Sequence, residues 1–152
     1  MRVELMRTYP VPRKKAFDYL DDFTTWPTWY AGMLEIIEPD TAAWSASGDK
    51  VRFAYKLLGR RLEGECTLEE VRDGELVKFT ATIPMVGDVH QEWSYSDAGE
   101  SAFTLKAVME TAEPTSFFGK VIDKMVIPRV LERDLRHTLD NLEETFAMGI
   151  PT

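Results

Sequence analysis

The chain opens with Val3, Leu5 and Met6 set among polar residues and stopped by Pro10-Val11-Pro12, which predicts a strand over 2–9. Two prolines can continue neither a sheet ladder nor a helix interior. From Pro12 the apolar period lengthens: Ala16, Phe17 and Leu20 fall at helical spacing behind a proline that suits a first turn, so a short helix runs to about Asp22. Residues 23–30 gather Phe23, Trp26, Trp29 and Tyr30 around Pro27 and are closed by Gly32, predicting a second short helix or turn anchored by its rings.

After Gly32 the period becomes two. Residues 33–38 read as a brief strand, 39–48 as a loop containing Trp44, and Gly48-Asp49 as a turn. Val51, Phe53, Tyr55 and Leu57 then alternate with Arg52, Ala54 and Lys56, and Leu62, Gly64, Cys66 and Leu68 with Arg61, Glu63, Glu65, Thr67 and Glu69. Asp73-Gly74 predicts a hairpin into Val77, Phe79, Ala81 and Ile83. Gly87-Asp88 turns into a strand over 89–95, and Asp97-Ala98-Gly99 into Phe103, Leu105, Ala107 and Met109. The middle of the chain is therefore an antiparallel meander with one apolar face.

From Thr115 the period returns to about 3.6. Val121, Ile122, Met125, Leu131, Leu135, Leu139, Leu142 and Phe146 line one stripe, with Thr115 or Ser116 as N-cap and Gly149-Ile150-Pro151 as stop. Pro128 removes a donor and clashes with the preceding turn, which predicts a bend or break over 124–129. A curved sheet with an apolar concave face must be covered, and this last helix is the only element long enough. The expected architecture is one α+β domain, 1–152, in which a curved antiparallel sheet grips a long C-terminal helix and two short helices after the first strand plug one end.

Composition narrows the function. Eighteen Lys and Arg against 26 Asp and Glu leave a formal charge of −8, and no basic run offsets it. Binding to nucleic acid or to an anionic membrane surface is disfavoured, since both need concentrated positive charge. No apolar stretch approaches the roughly 20 residues of a membrane-spanning helix, and Glu4 stands where a signal peptide needs an apolar run. With a single Cys, no internal disulfide can form, and a cytoplasmic location is expected.

Most candidate chemistry fails on register. His90 and Glu92 share the solvent side of their strand, opposite Gln91 and Trp93, and His137 lies on the polar flank of the last helix, so neither a metal nor another cofactor is expected. Cys66 falls on the apolar side with no His or Lys beside it and reads as a buried structural thiol. Glu63, Glu65 and Glu69 form a wet charge ladder rather than catalytic carboxylates.

The stretch Val11-Pro12-Arg13-Lys14-Lys15-Ala16-Phe17-Asp18-Tyr19-Leu20-Asp21-Asp22, followed by Trp26-Pro27-Thr28-Trp29, resembles the opening of the START-like (SRPBCC) superfamily of polyketide cyclases/dehydrases, Bet v 1-like proteins and lipid-transfer domains. The C-terminal Phe117-Phe118-Gly119-Lys120 to Leu139-Asp140-Asn141-Leu142-Glu143 is similar to that family's final helix. The resemblance implies a helix-grip fold with a hydrophobic cavity between sheet and helix, and a small hydrophobic molecule, such as a lipid, polyketide or quinone, as partner.

Alternation independently turns Phe53, Tyr55, Phe79, Trp93 and Met109 toward the helix. Gln91 and Tyr95 add polar groups from strands and Arg129 adds one from the helix, Met125 lines the space from that helix, and Trp29 edges the mouth. The expected break at Pro128 lies beside that mouth. Thr138 is a further polar group within reach, and Arg7 and Arg52 would reach inward only if the register slipped by one. Binding or transport of the ligand is the leading function. A cyclase or dehydratase using Tyr55, Tyr95 and Arg129 or Arg52 is the enzymatic alternative, and a protein-interaction module is the other.

Overall fold

The structure, a computed structural model, describes residues 1–38, 44–111 and 126–150. Strand β1 (Arg2–Tyr9) leads into helix α1 (Arg13–Asp21), a single 3-10 turn (Phe23–Thr25) and helix α2 (Trp26–Trp29). Then come β2 (Met33–Glu38), β3 (Lys50–Leu57), β4 (Arg60–Arg72), β5 (Leu76–Ile83), β6 (Gly87–Asp97), β7 (Phe103–Thr111) and helix α3 (Val126–Ala147). The strands make one seven-stranded antiparallel sheet in the order β1-β7-β6-β5-β4-β3-β2. Every consecutive pair from β2 to β7 is a hairpin neighbour, while β1 closes onto β7.

Curvature has visible causes. The β4–β5 register shifts between Leu68 and Glu70, leaving Glu69 as the extra residue of a bulge, and β2 pairs with β3 through two further irregularities. Bulges bend a strand and increase its twist, which lets long strands such as β4 and β6 wrap a helix. Before the bulge Gly64, Cys66 and Leu68 are buried, as the alternation predicts, and Glu63, Glu65 and Glu69 face outward.

Helix α3 buries Ile127, Leu131, Leu135, Leu139, Leu142 and Phe146 on one stripe. Its C-terminal half is clamped to β1 and β7: the Tyr9 hydroxyl donates to the Leu139 carbonyl at 2.8 Å, and the Phe146 ring meets Tyr9 and Phe103 edge-on. The segment between Trp29 and Gly32 is tied to the same helix, since Thr138 Oγ1 accepts from the Ala31 N–H at 2.9 Å and the Asn141 amide donates to the Trp29 carbonyl at 3.1 Å.

Pro128 is buried and is the third described residue of α3. The expected N-cap at Thr115 or Ser116, the apolar positions Val121, Ile122 and Met125, and the N-terminal part of the expected break lie outside the described residues. From Pro128 onward the helix is continuous.

Candidate functional site: an apolar cavity with polar pairs in its wall

The cavity lies between the concave sheet face, the segment from α1 to α2, and Leu131 of α3. Its empty space is about 740 Å³ counted out through its opening, of which about 60 Å³ is open to the centre of a water-sized sphere. At roughly 10–15 Å³ of such space per enclosed water, the smaller figure is room for about four to six waters.

Strand periodicity delivers most of the wall. Phe53 and Tyr55 come from β3, Phe79 from β5, Gln91, Trp93 and Tyr95 from β6, Met109 from β7, and Trp29 from α2, and all of them line the cavity. Met125 lies outside the described residues. Arg129 is a correction: it is exposed and does not line the cavity. Leu131 faces inward, and two residues along a helix is about 200° of rotation, so Arg129 points to the opposite side.

Phe79 lines the cavity from β5. It is half-buried and packs on the rings of Trp26 and Trp44, at 6.4 and 6.3 Å between centroids. Arg7 pairs with Asp140 and Arg52 with Glu63 at the surface, and Thr138, although buried, is absorbed by Ala31 and the Asp134 carbonyl. Trp26, Trp29 and Tyr30 serve both readings of the aromatic cluster, as core residues and as cavity wall.

Two sets of polar groups in the wall are paired. The Tyr55 hydroxyl donates to Asp134 Oδ2, and Asp134, only 6% exposed, is also approached by Arg133 at 3.3 Å. The Trp93 indole donates to Gln91 Oε1 at 2.8 Å, which orients the amide so that its nitrogen donates to the Tyr30 hydroxyl at 3.0 Å. Burial holds the phenols of Tyr30, Tyr55 and Tyr95 well above the ordinary tyrosine range, so they stay protonated and act as hydrogen-bonding groups rather than bases.

Asp21 has a different character. Burial, reinforced by Asp18 and Asp73 and opposed by Lys14 and the Trp44 indole, pushes its carboxyl from an ordinary 3.8 up to about 6. Unfolded, Asp21 releases its proton near 3.8, whereas folded it holds it to about 6. The native state therefore binds more protons across that window, and the stability present below it is lost as pH rises through it. Asp21→Asn is expected to raise stability near pH 7.5 by about 1–2 kcal/mol, allowing for the group's partial contact with solvent. Urea midpoints between about pH 4 and 8 check this, and a variant less stable than the parent at pH 7.5 would contradict it.

Asp134, Asp21 and Trp44 were not anticipated. Asp134 sits three residues after Leu131 and one before Leu135, on the apolar stripe, so its position was readable although its chemistry argued against it. Asp21 follows Leu20 at the end of α1, and Trp44 comes from a loop without periodicity; neither carries a local signal.

Nucleophile and metal chemistry find no support among the described residues. Burial pushes the Cys66 thiol up, away from thiolate, and no group of His, Cys, Asp and Glu could hold a metal ion. His90 lies on the outer face with Thr80 and Glu69, exposed as its register predicts. No helix among the described residues is long and apolar enough to cross a membrane.

The fold and cavity are those of the START-like, helix-grip class. The sequence profile described as polyketide cyclase / dehydrase and lipid transport matches residues 1–147, and the chain belongs to that family. Among solved structures it is similar to the Zhui aromatase/cyclase from Streptomyces sp. R1128, at 14% identity and a TM-score of 0.82, covering 100% of this chain and 96% of that one. It is also similar to a START superfamily protein from Mycobacterium smegmatis, at 13% identity and a TM-score of 0.73, covering 97% of each. A third match is the di-domain ARO/CYC StfQ from the steffimycin biosynthetic pathway, at 15% identity and a TM-score of 0.70, covering 95% of this chain and 44% of that one. These likenesses establish the fold. No curated protein sequence matches the chain.

Proposed function

We propose that the protein binds a small, flat hydrophobic molecule in the cavity between its sheet and α3. The observation that carries this reading is the wall itself: an apolar, aromatic-lined space interrupted by a few fixed polar groups, Tyr55, Gln91 and Tyr30 among them. Affinity would come from apolar burial at about 25 cal/mol per Å², and orientation from the hydroxyl and amide groups. Membership of a family whose description joins cyclases to lipid transport agrees with such a ligand.

An anilinonaphthalene-sulfonate dye is expected to bind the folded protein near stoichiometrically and to be displaced by the natural ligand. Native mass spectrometry of freshly purified protein would look for that ligand directly. Dye binding that appears only after acid or heat expands the chain would mean a filled core and would remove this reading.

A cyclase or dehydratase acting in the same cavity is the second reading. It is favoured by the Asp21 carboxyl, which is held near 6 and can therefore exchange a proton close to neutrality.

A further inference from the structure

Two buried polar atoms in the cavity wall, one donor and one acceptor, have no hydrogen-bond partner among the described residues. Three of the four indoles donate: Trp26 to the Leu20 carbonyl, Trp29 to Thr25 Oγ1 and Trp93 to Gln91 Oε1. The fourth, Trp44, is 6% exposed, and its Nε1 has no partner. Asp21 Oδ1 is likewise buried and without a partner.

The usual rescue of such a carboxylate is a lysine. Lys14, however, is already bonded to Asp18 at 2.8 Å and to Asp73 at 2.5 Å. Both orphaned groups line the same cavity, and they influence each other without reaching hydrogen-bond geometry. A buried polar atom left unpaired is costly, so a paired arrangement is favoured when a fitting group arrives.

We propose that Asp21 and Trp44 form a hydroxyl subsite, in which a hydroxyl on a flat aromatic ligand accepts from Trp44 Nε1–H and donates to Asp21 Oδ1. A hydroxyl is the smallest group that offers an acceptor and a donor on one atom. The aromatic skeleton follows from the neighbours, since Trp26 stacks on Phe79 at 6.4 Å and meets Trp44 edge-on at 5.3 Å, making ring walls on which a planar ligand can lie. A ligand carboxylate is disfavoured because it brings a second negative charge to Asp21, while the neighbouring Lys14 is already bonded to Asp18 and Asp73. The subsite rests on the cavity-binding reading and adds a ligand class to it, a phenol rather than a hydrocarbon or an acid.

Equilibrium dialysis of the full chain near pH 7.5 with naphthalene, 2-naphthol and 2-naphthoate tests it. The expected order is 2-naphthol about tenfold tighter than naphthalene, the scale of one hydrogen bond to a charged group, with 2-naphthoate weakest. Trp44→Phe keeps the ring and loses the N–H, and Asp21→Leu keeps the bulk and loses the acceptor. Each is expected to erase most of the naphthol advantage while naphthalene still binds. If Trp44→Phe does not fold, Asp21→Leu decides alone.

Equal binding of naphthol and naphthalene, a naphthol advantage undiminished by Asp21→Leu, or tight binding of naphthoate overturns the subsite and leaves the cavity reading standing. Binding of none of the three overturns both.

Discussion

Phe53→Ala is expected to lower the stability of the folded chain by about 3–5 kcal/mol, the range for deleting a large buried ring whose neighbours cannot collapse into the space. Phe53 is 2% exposed and lies in the middle of β3, opposite Gly64 of β4 and Ile36 of β2. Its ring extends over Gly64: a Cβ built there would stand 2.8 Å from Phe53 Cζ and 2.9 Å from the Thr82 carbonyl oxygen. Gly64 is therefore the hollow into which the ring is set, and its own strand and the Thr82 backbone beside it resist closing the space when the ring is gone. Urea denaturation measures the loss. A cost under about 1 kcal/mol would mean that the ring borders open space rather than packed wall. Because Phe53 also lines the cavity, the variant enlarges it, and bound dye should persist wherever the folded state does.

The same alternation that placed Phe53 explains how much of this protein was legible before its structure. A regular strand has a side-chain period of two, so spacing alone puts Tyr55, Gln91, Trp93, Tyr95 and Met109 on one face and His90 and Glu63 on the other. Legibility ended where geometry became non-local. The Glu69 bulge re-phases β4, and the Trp44 loop folds onto Phe79, whose ring meets the indoles of both Trp26 and Trp44. Arg129 differs for another reason: two residues from Leu131, the 3.6-residue period points it away from the cavity. Asp134 was hidden by the assumption that a carboxylate does not belong on an apolar stripe. Its Tyr55 partner, 79 residues away along the chain, is what makes the burial tolerable. The Asp21 and Trp44 pair was invisible for the plainest reason, because each becomes unusual only through what fails to reach it in three dimensions.

Gly32→Ala is the second large effect, expected at about 2–4 kcal/mol, and it joins stability to the site. Gly32 has φ of +92°, a conformation that side-chain-bearing residues adopt at a cost of about 1–2 kcal/mol or more. A Cβ there would lie 2.8 Å from both Cε2 and Cζ of Tyr55 and 3.0 Å from its hydroxyl. The backbone cannot retreat easily, because the Gly32 carbonyl accepts from the Lys56 N–H at 2.8 Å and the preceding Ala31 N–H is held by Thr138. The Tyr55 ring must therefore move, and its bond to Asp134 is the contact put at risk. Gly59→Ala is the matched control: its φ of +77° carries a similar backbone penalty, but nothing lies within 4 Å of the added methyl. If the turn over Tyr55 is packed as described, Gly32→Ala costs clearly more than Gly59→Ala in urea denaturation. If the Tyr55 hydroxyl orients the ligand, Gly32→Ala also weakens aromatic binding as much as Tyr55→Phe does, whereas Gly59→Ala leaves it unchanged. Equal costs for the two glycine variants would show that Tyr55 yields freely, and would take its hydroxyl out of the set of fixed groups that line the cavity.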